Sequence, residues 1–181
     1  MRRIIQKIEM NIKEKFNTIK AFAFDVDGVF TDGQVYLMHG QEYVRSMNIK
    51  DGYAVQHCVK MGYPVAIISG GSSEEVRNRF QNLGVTDIYL KSSNKIEDFE
   101  DFKFKYHLEF DDILYMGDDI PDYQVMERAG IASCPADAAE EIKKLAAYIS
   151  DKGGGQGCVR DVIEQVLKLH EKWLNEKAFQ W

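Results

Sequence analysis

Cysteine and histidine are scarce in this chain and basic residues are outnumbered by acidic ones, and each shortage excludes something. The three cysteines, Cys58, Cys134 and Cys158, are odd in number and far apart. Neither a zinc pair nor a disulfide framework is expected from them, and a reducing cytoplasm is the expected compartment. The four histidines, His39, His57, His107 and His170, fall in no triad or metal spacing. Lysine and arginine total 23 against 29 acidic residues, a net charge of −6. That balance argues against broad nucleic-acid binding, so a phosphate-bearing ligand has to be held by local donors or by a metal. No apolar run is long enough to span a bilayer, and the opening Met1-Arg2-Arg3-Ile4-Ile5-Gln6-Lys7 lacks the unbroken apolar segment of a signal peptide. With 181 residues there is room for one domain and a sizeable core, and little for a second, lid-sized unit.

What is present is an alternation of short apolar runs with amphipathic stretches. Residues 20–25, 64–69, 87–90 and 113–117 read as buried strands, with 131–133 a weaker one. Helical patterns lie between them near 53–61, 73–83, 95–107, 122–129 and 137–147, with a last one at 159–175. This order predicts an α/β fold, a three-layer Rossmann-like parallel sheet. Ser72 with Glu75 forms a capping-box pattern, and Pro121 sits where the start of a helix tolerates it. Two segments break the rhythm. Residues 34–48 alternate around His39-Gly40-Gln41, with Val35, Leu37, Tyr43 and Val44 as apolar members, and predict a protruding β-hairpin. Residues 1–18 place Ile4, Ile5, Ile8, Ile12 and Phe16 near helical spacing and predict an extra amphipathic helix.

Carboxylates concentrate at the ends of two of these strands. Asp25 and Asp27 follow Ala21-Phe22-Ala23-Phe24, and Asp118, Asp119 and Asp122 follow Ile113-Leu114-Tyr115-Met116-Gly117. In a doubly wound sheet, ligands bind beyond the strand carboxyl ends. Any one of these aspartates is equally well explained as a helix cap or turn residue. Two clusters that each end a buried strand are better explained by a cation between them, and hard oxygen ligands without His or Cys favour Mg2+. Ser69 ends another strand and precedes Gly70 and Gly71, a setting that suits phosphate oxygens. Lys95 opens a helix from which an ammonium can reach the same crevice, with Lys91 as its rival. The run Gly153-Gly154-Gly155-Gln156-Gly157 lacks the ending of a nucleotide loop, and Asp25–Asp27 fails as an EF-hand because Phe30 stands where Gly is needed.

In order along the chain, Asp25-Val26-Asp27-Gly28-Val29, Ser69, Lys95 and Gly117-Asp118-Asp119-Ile120-Pro121-Asp122 resemble the four motifs of the haloacid dehalogenase superfamily of phosphatases. Thr31-Asp32-Gly33, Lys50-Asp51-Gly52 and the tail Gly154-Gly155-Gln156-Gly157-Cys158-Val159-Arg160 are similar to the subfamily acting on 3-deoxy-D-manno-octulosonate 8-phosphate. The resemblance covers about residues 19–170. It implies a Mg2+-dependent phosphomonoester hydrolase of lipopolysaccharide precursor synthesis, with Asp25 as nucleophile and Asp27 as general acid and base. It implies Ser69 and Lys95 on the phosphoryl oxygens, and metal held by Asp25, the Asp27 carbonyl and Asp118 with Asp122 orienting metal-bound water. Substrate contacts are implied at Thr31, Lys50, Gly70, Gly71 and Arg160, with Lys50 and Arg160 facing the carboxylate. Asp119 receives no role.

One residue departs from the pattern: many relatives carry Arg where this chain has Gly71. A branch acting on the nine-carbon 2-keto-3-deoxynononate 9-phosphate therefore remains an alternative substrate reading. A phospho-accepting receiver domain uses similar residues in a different order, with its acceptor after a later strand. The implied layout is an amphipathic helix at 1–18 and a haloacid dehalogenase-like domain at 19–176 without a large cap. That domain carries the hairpin 34–48 and the tail loop 153–160, and a short end follows at 177–181. The resemblance also implies a homotetramer, in which hairpins and the 153–160 tail of neighbouring subunits help close each site.

Overall fold

Ala21–Phe24 form β1, and their alternation sets the layering. Phe22 and Phe24 belong to one face of the sheet, Ala21 and Ala23 to the other. In the computed structural model, which describes residues 12–37, 39 and 43–179, β1 pairs in parallel with β2 (Val65–Ile68) on one side and β4 (Ile113–Met116) on the other. β3 (Asp87–Tyr89) lies outside β2, and β5 (Ile131–Cys134) and β6 (Tyr148–Ile149) lie outside β4. The order is β3-β2-β1-β4-β5-β6, all parallel. β1, β2, β4 and β5 are buried throughout, which is why they read as apolar runs.

Helices cover both faces. α1 (Ile49–Lys60), α2 (Glu74–Asn82) and α6 (Cys158–Leu169) pack on the face carrying Phe22, Phe24, Val65 and Ile67. α3 (Lys95–Lys105), α4 (Tyr123–Arg128) and α5 (Glu140–Leu145) pack on the opposite face. There the strands offer alanines (Ala21, Ala23, Ala66), and the space is filled by Phe99, Phe102 and Tyr115. The chain reverses direction across the sheet between β1 and β4, so a crevice opens above their carboxyl ends. A receiver of the flavodoxin-like kind has a different strand order, and the receiver reading falls here.

Several boundaries differ from the sequence reading. α1 starts at Ile49, ahead of Gly52, because the Asn48 side chain accepts the Lys50 N–H and caps it. The cap of α2 is Ser73, which accepts from Val76 N, and not Ser72. The last helix ends at Leu169, where Glu171 at φ 58° turns the chain and returns Trp173 to the core. β6 was not expected, since two residues carry no readable period. Within 34–48, the described residues show one antiparallel bridge, Tyr36↔Val44, in place of two full strands; the expected tip around Gly40-Gln41 lies outside them. Residues 12–16 are helical and bury Phe16, while Ile4, Ile5 and Ile8 lie outside the described residues, as does the end of 177–181.

Asp51 ties α1 to α6. It is fully buried, its Oδ1 accepts the Arg160 N–H at 2.7 Å, and its Oδ2 has no partner among the described residues. Burial, partly opposed by the amides of Arg160 and Gly157, pushes its carboxyl up to about 6 from 3.8. The folded state therefore holds the proton more tightly than the unfolded chain, and stability falls as pH rises through that window. Over pH 4–6, Asp51→Asn should flatten this loss, worth on the order of 3 kcal/mol. Denaturant titrations of both proteins across that range check it; parallel curves would show Asp51 already ionised at no cost.

Candidate active site

The Asp25 N–H donates to Met116 O at 3.0 Å, so the β1–β4 pairing runs on past both strands. This sets Asp25 level with the segment that carries Asp118. Between them passes the loop after Asp27, and Gly28 makes that passage possible. Its φ is +81°, and a Cβ there would fall 2.0 Å from Asp118 Oδ2. The loop is braced from inside by Thr31, whose Oγ1 accepts the N–H groups of Gly28 at 3.1 Å and Gly33 at 3.3 Å. Thr31 is fully buried, which corrects the expected substrate contact: its hydroxyl holds the loop.

Asp25, Asp118 and Asp122 each offer a carboxylate oxygen, all within 4.8 Å of one another. Lys95, buried as the first residue of α3, places Nζ 2.9 Å from Asp25 Oδ1 and 2.7 Å from Asp122 Oδ1. Lys91 is exposed, in a left-handed loop position, so Lys95 is the lysine of this crevice. Asp122 is saturated. Its Oδ1 also accepts the Tyr115 hydroxyl, and its Oδ2 accepts the N–H of Asp118 at 3.2 Å and of Asp119 at 3.5 Å. Asp119, for which the sequence offered no role, caps the short 3-10 turn Ile120–Asp122 by accepting the Ile120 N–H. That turn, with Pro121 in its first positions, brings Asp122 back beneath β4.

The electrostatics follow from this crowding. Burial first, and the neighbouring Asp122 second, push the Asp25 carboxyl up to about 8, with Lys95 pulling the other way. Burial, then Asp122 and Asp119, push Asp118 up to about 7. For Lys95, burial favours the neutral amine, but Asp25 and Asp122 outweigh it and its value is raised. An all-oxygen carboxylate set with elevated affinity for protons is a set that a divalent cation suits.

Asp27 is half-buried and is gripped by a residue that sequence reasoning missed. Arg45 donates from Nε to Asp27 Oδ1 at 2.5 Å and from Nη2 to Oδ2 at 3.3 Å. Arg45 comes from the hairpin limb, in a stretch read only for its apolar alternation, so no signal singled it out. Ser69 is buried, and its Oγ accepts the Gly71 N–H at 3.1 Å. A Cβ at Gly71 would lie 3.7 Å from Asp27 Oδ2 and 3.9 Å from Arg45 Nη2, so the side chain missing here would have met that ion pair; Gly70 beside it is exposed. Asp27, Arg45, Ser69 and Gly71 line a narrow throat of about 10 Å³.

Two expected substrate residues are not drawn to this cluster. Lys50 is exposed on the first turn of α1. Arg160 donates to Glu164 at 3.0 Å, one helical turn on, and its guanidinium lies 5.1 Å over the Trp173 ring. Neither makes an ion pair or side-chain hydrogen bond with the aspartates among the described residues. The tail does approach the site, on its own subunit: Gly155 N–H donates to Val29 O at 2.9 Å and Asn48 Nδ2 to Gly155 O at 3.2 Å.

Comparison with known proteins gives the family and the fold. Residues 84–160 match the family of haloacid dehalogenase-like hydrolases. The chain is 33% identical over 165 residues to the 3-deoxy-D-manno-octulosonate 8-phosphate phosphatase of Escherichia coli, covering 91% of this chain and 88% of that one. Among solved structures, the enzyme of that name from Moraxella catarrhalis, in complex with magnesium, phosphate and KDO, superimposes with TM-score 0.84 at 33% identity. The match covers 88% of this chain and 91% of that one. The cobalt-bound phosphatase of Haemophilus influenzae gives 0.85 at 27% identity, covering 91% and 98%.

The raised carboxyls of Asp25 and Asp118 predict coupling between metal and protons. Mg2+ has to displace what these groups hold below about pH 7–8, so its affinity should climb between pH 6 and 8 with proton release. Calorimetry in two buffers of different ionisation enthalpy reads the released protons. A pH-independent affinity without release would place the metal elsewhere.

Proposed function

The chain belongs to the haloacid dehalogenase-like hydrolases, in the family of the 3-deoxy-D-manno-octulosonate 8-phosphate phosphatases, and from there we propose that it removes phosphate from that sugar acid. The reaction is Mg2+-dependent and serves lipopolysaccharide precursor synthesis in the cytoplasm. The observation that carries this reading is Asp25 at the β1 end, two residues before Asp27, with Lys95 and Asp118 against it.

The donor set fits Mg2+. Asp25 and Asp118, with the Asp27 carbonyl, are the groups to hold it, because both oxygens of Asp122 are already taken and leave that residue to position the others. Bound there, the ion offsets the repulsion between an anionic nucleophile and an anionic phosphate. An Asp25 oxygen attacks phosphorus in line, the bond to the sugar oxygen breaks, and an aspartyl phosphate forms. Asp27 gives its proton to the departing alkoxide and then takes one from the water that hydrolyses the aspartyl phosphate. Arg45 holds the Asp27 carboxylate by both oxygens and so fixes the direction of that transfer. Lys95 and the Ser69 hydroxyl hold phosphoryl oxygens as charge shifts among them. Among the described residues no separate domain covers the crevice, so water exclusion is assigned to the assembly below.

The room left at Gly71 beside Asp27 keeps the nine-carbon acid as a second substrate reading. Phosphate release with Mg2+ from the eight- and nine-carbon acid phosphates and from simple sugar phosphates separates them. Release from none would sink the enzyme reading, and preference for nine carbons would change only the substrate. In the same assay Asp25→Asn should lose about a thousandfold or more in turnover while its thermal unfolding stays cooperative. Retained turnover would mean another nucleophile.

Assembly completes the proposal. Val35, Tyr36, Leu37, Tyr43 and Val44 stand 41–78% exposed on the two limbs around the Tyr36↔Val44 bridge. An apolar stretch of this kind calls for a covering surface, and we assign it to a homotetramer built through the hairpins. Sedimentation at assay concentration should show four subunits; a fully active monomer would refute it.

A further inference from the structure

The glycine-rich tail does more on its own subunit than meet Val29 and Asn48. Gly154 is buried and lies flat against the loop after Asp27. A Cβ there would fall 2.1 Å from Gly28 O and 2.7 Å from Thr31 O, so any side chain would push both carbonyls aside. With Gly155 N–H on Val29 O, the tail grips the loop at Gly28, Val29 and Thr31. The Gly154 N–H itself donates to Asp137 Oδ1 at 2.9 Å.

Asp137 stands in the turn between β5 and α5, and that turn reaches the other half of the site. The Ala139 N–H donates to Asp118 O at 2.8 Å, and the Ala136 N–H donates to Lys152 O at 2.9 Å, just ahead of the glycines. A closed circuit results. Gly28 lies against the Asp118 carboxylate, the turn holds the Asp118 backbone, and the tail joins the turn to Gly28. Asp137 is exposed, so its charge is solvated and what it brings to the circuit is chiefly an acceptor.

The circuit bears on the Asp27 carbonyl. A peptide is planar and trans, so this carbonyl points opposite to the Gly28 N–H, which Thr31 Oγ1 accepts. Gly154, seated on the Gly28 and Thr31 carbonyls, holds both ends of that hydrogen bond in place.

We propose that Gly154 and Asp137 are positioning residues for the metal: through them the subunit's own tail sets the Asp27 carbonyl against Asp118. The inference rests on the Mg2+ site assigned above, and it requires no contact with substrate or with a second subunit. Groups that orient metal ligands from outside commonly govern affinity as strongly as a ligand does.

Mg2+ calorimetry, sedimentation and hydrolysis of p-nitrophenyl phosphate test it on three variants. Gly154→Ala should raise the Mg2+ dissociation constant about tenfold or more. Asp137→Ala should raise it about fivefold, while Asp137→Asn, whose amide oxygen still accepts the Gly154 N–H, should stay within about twofold of the unmodified protein. At saturating Mg2+, kcat should change far less than affinity, and sedimentation should not change. Equal effects of Asn and Ala at 137 would assign the change to lost charge and overturn the proposal. Unchanged affinity with a lower melting temperature, or a loss of affinity that follows dissociation of subunits, would overturn it too. The Asp137 pair decides the matter where Gly154→Ala fails to fold. If the unmodified protein bound no Mg2+ and released no phosphate, the metal reading would fall and this one with it.

Discussion

Two buried carboxylates and one buried ammonium govern this structure. Asp25 and Asp122 are almost wholly removed from water, and Lys95 lies 2.9 and 2.7 Å from them. Buried charges persist only when paired, and removing one member of such a set typically costs about 3–5 kcal/mol. Much of the architecture serves that pairing. The parallel register that sets Phe24 beside Met116 brings the ends of β1 and β4 level. α3 begins at Lys95 itself, which brings the ammonium over the same crevice. The Asp119-capped turn brings Asp122 under β4, where Tyr115 supplies a further hydrogen bond. Even so, one ammonium facing three carboxylates leaves Asp25 and Asp118 short of positive charge, and that shortfall suits a divalent cation.

What could be read from the sequence and what could not divide along physical lines. Buried parallel strands announce themselves as apolar runs, so β1, β2 and β4 and the acidic residues just past them were legible. Lys95 was legible through its place at a helix start. Arg45 was not, because its partner Asp27 is 18 residues away and the alternation of 34–48 marks only its apolar members. Thr31 was misread for a related reason: a hydroxyl in a motif looks available to ligand, and only the fold shows it turned inward onto two backbone N–H groups. Arg160 and Arg79 show the same limit from opposite sides. Each is an arginine on a helix, and whether it meets Glu164 or lines a cavity is decided by packing.

Among the described residues no separate domain stands over the crevice, so shielding of the phosphate from water falls to shorter segments. Part of the answer lies within the subunit. The glycine-rich tail is tied to the loop after Asp27 through Val29 and to the start of α1 through Asn48. Asp51 anchors the start of α6 directly behind the tail, so the tail's position is tied to α1, the helix that also carries Gly52. On the other side stands the hairpin limb, whose Arg45 lines the throat and whose Tyr43, Val44, Arg45 and Met47 line a larger cavity beside it.

That limb joins two tasks in one short stretch. Its exposed side chains, Tyr43 and Val44, are suited to a neighbouring surface, and the next residue is Arg45, which holds Asp27 by both oxygens. A single bridge, Tyr36↔Val44, fixes the limb within the described part of the chain, and an isolated bridge is weak support for a catalytic contact. Any surface that packs on Tyr43 and Val44 therefore also steadies Arg45, and through it the Asp27 side chain. The tetramer and the Asp27 role proposed above would then be coupled through one ion pair.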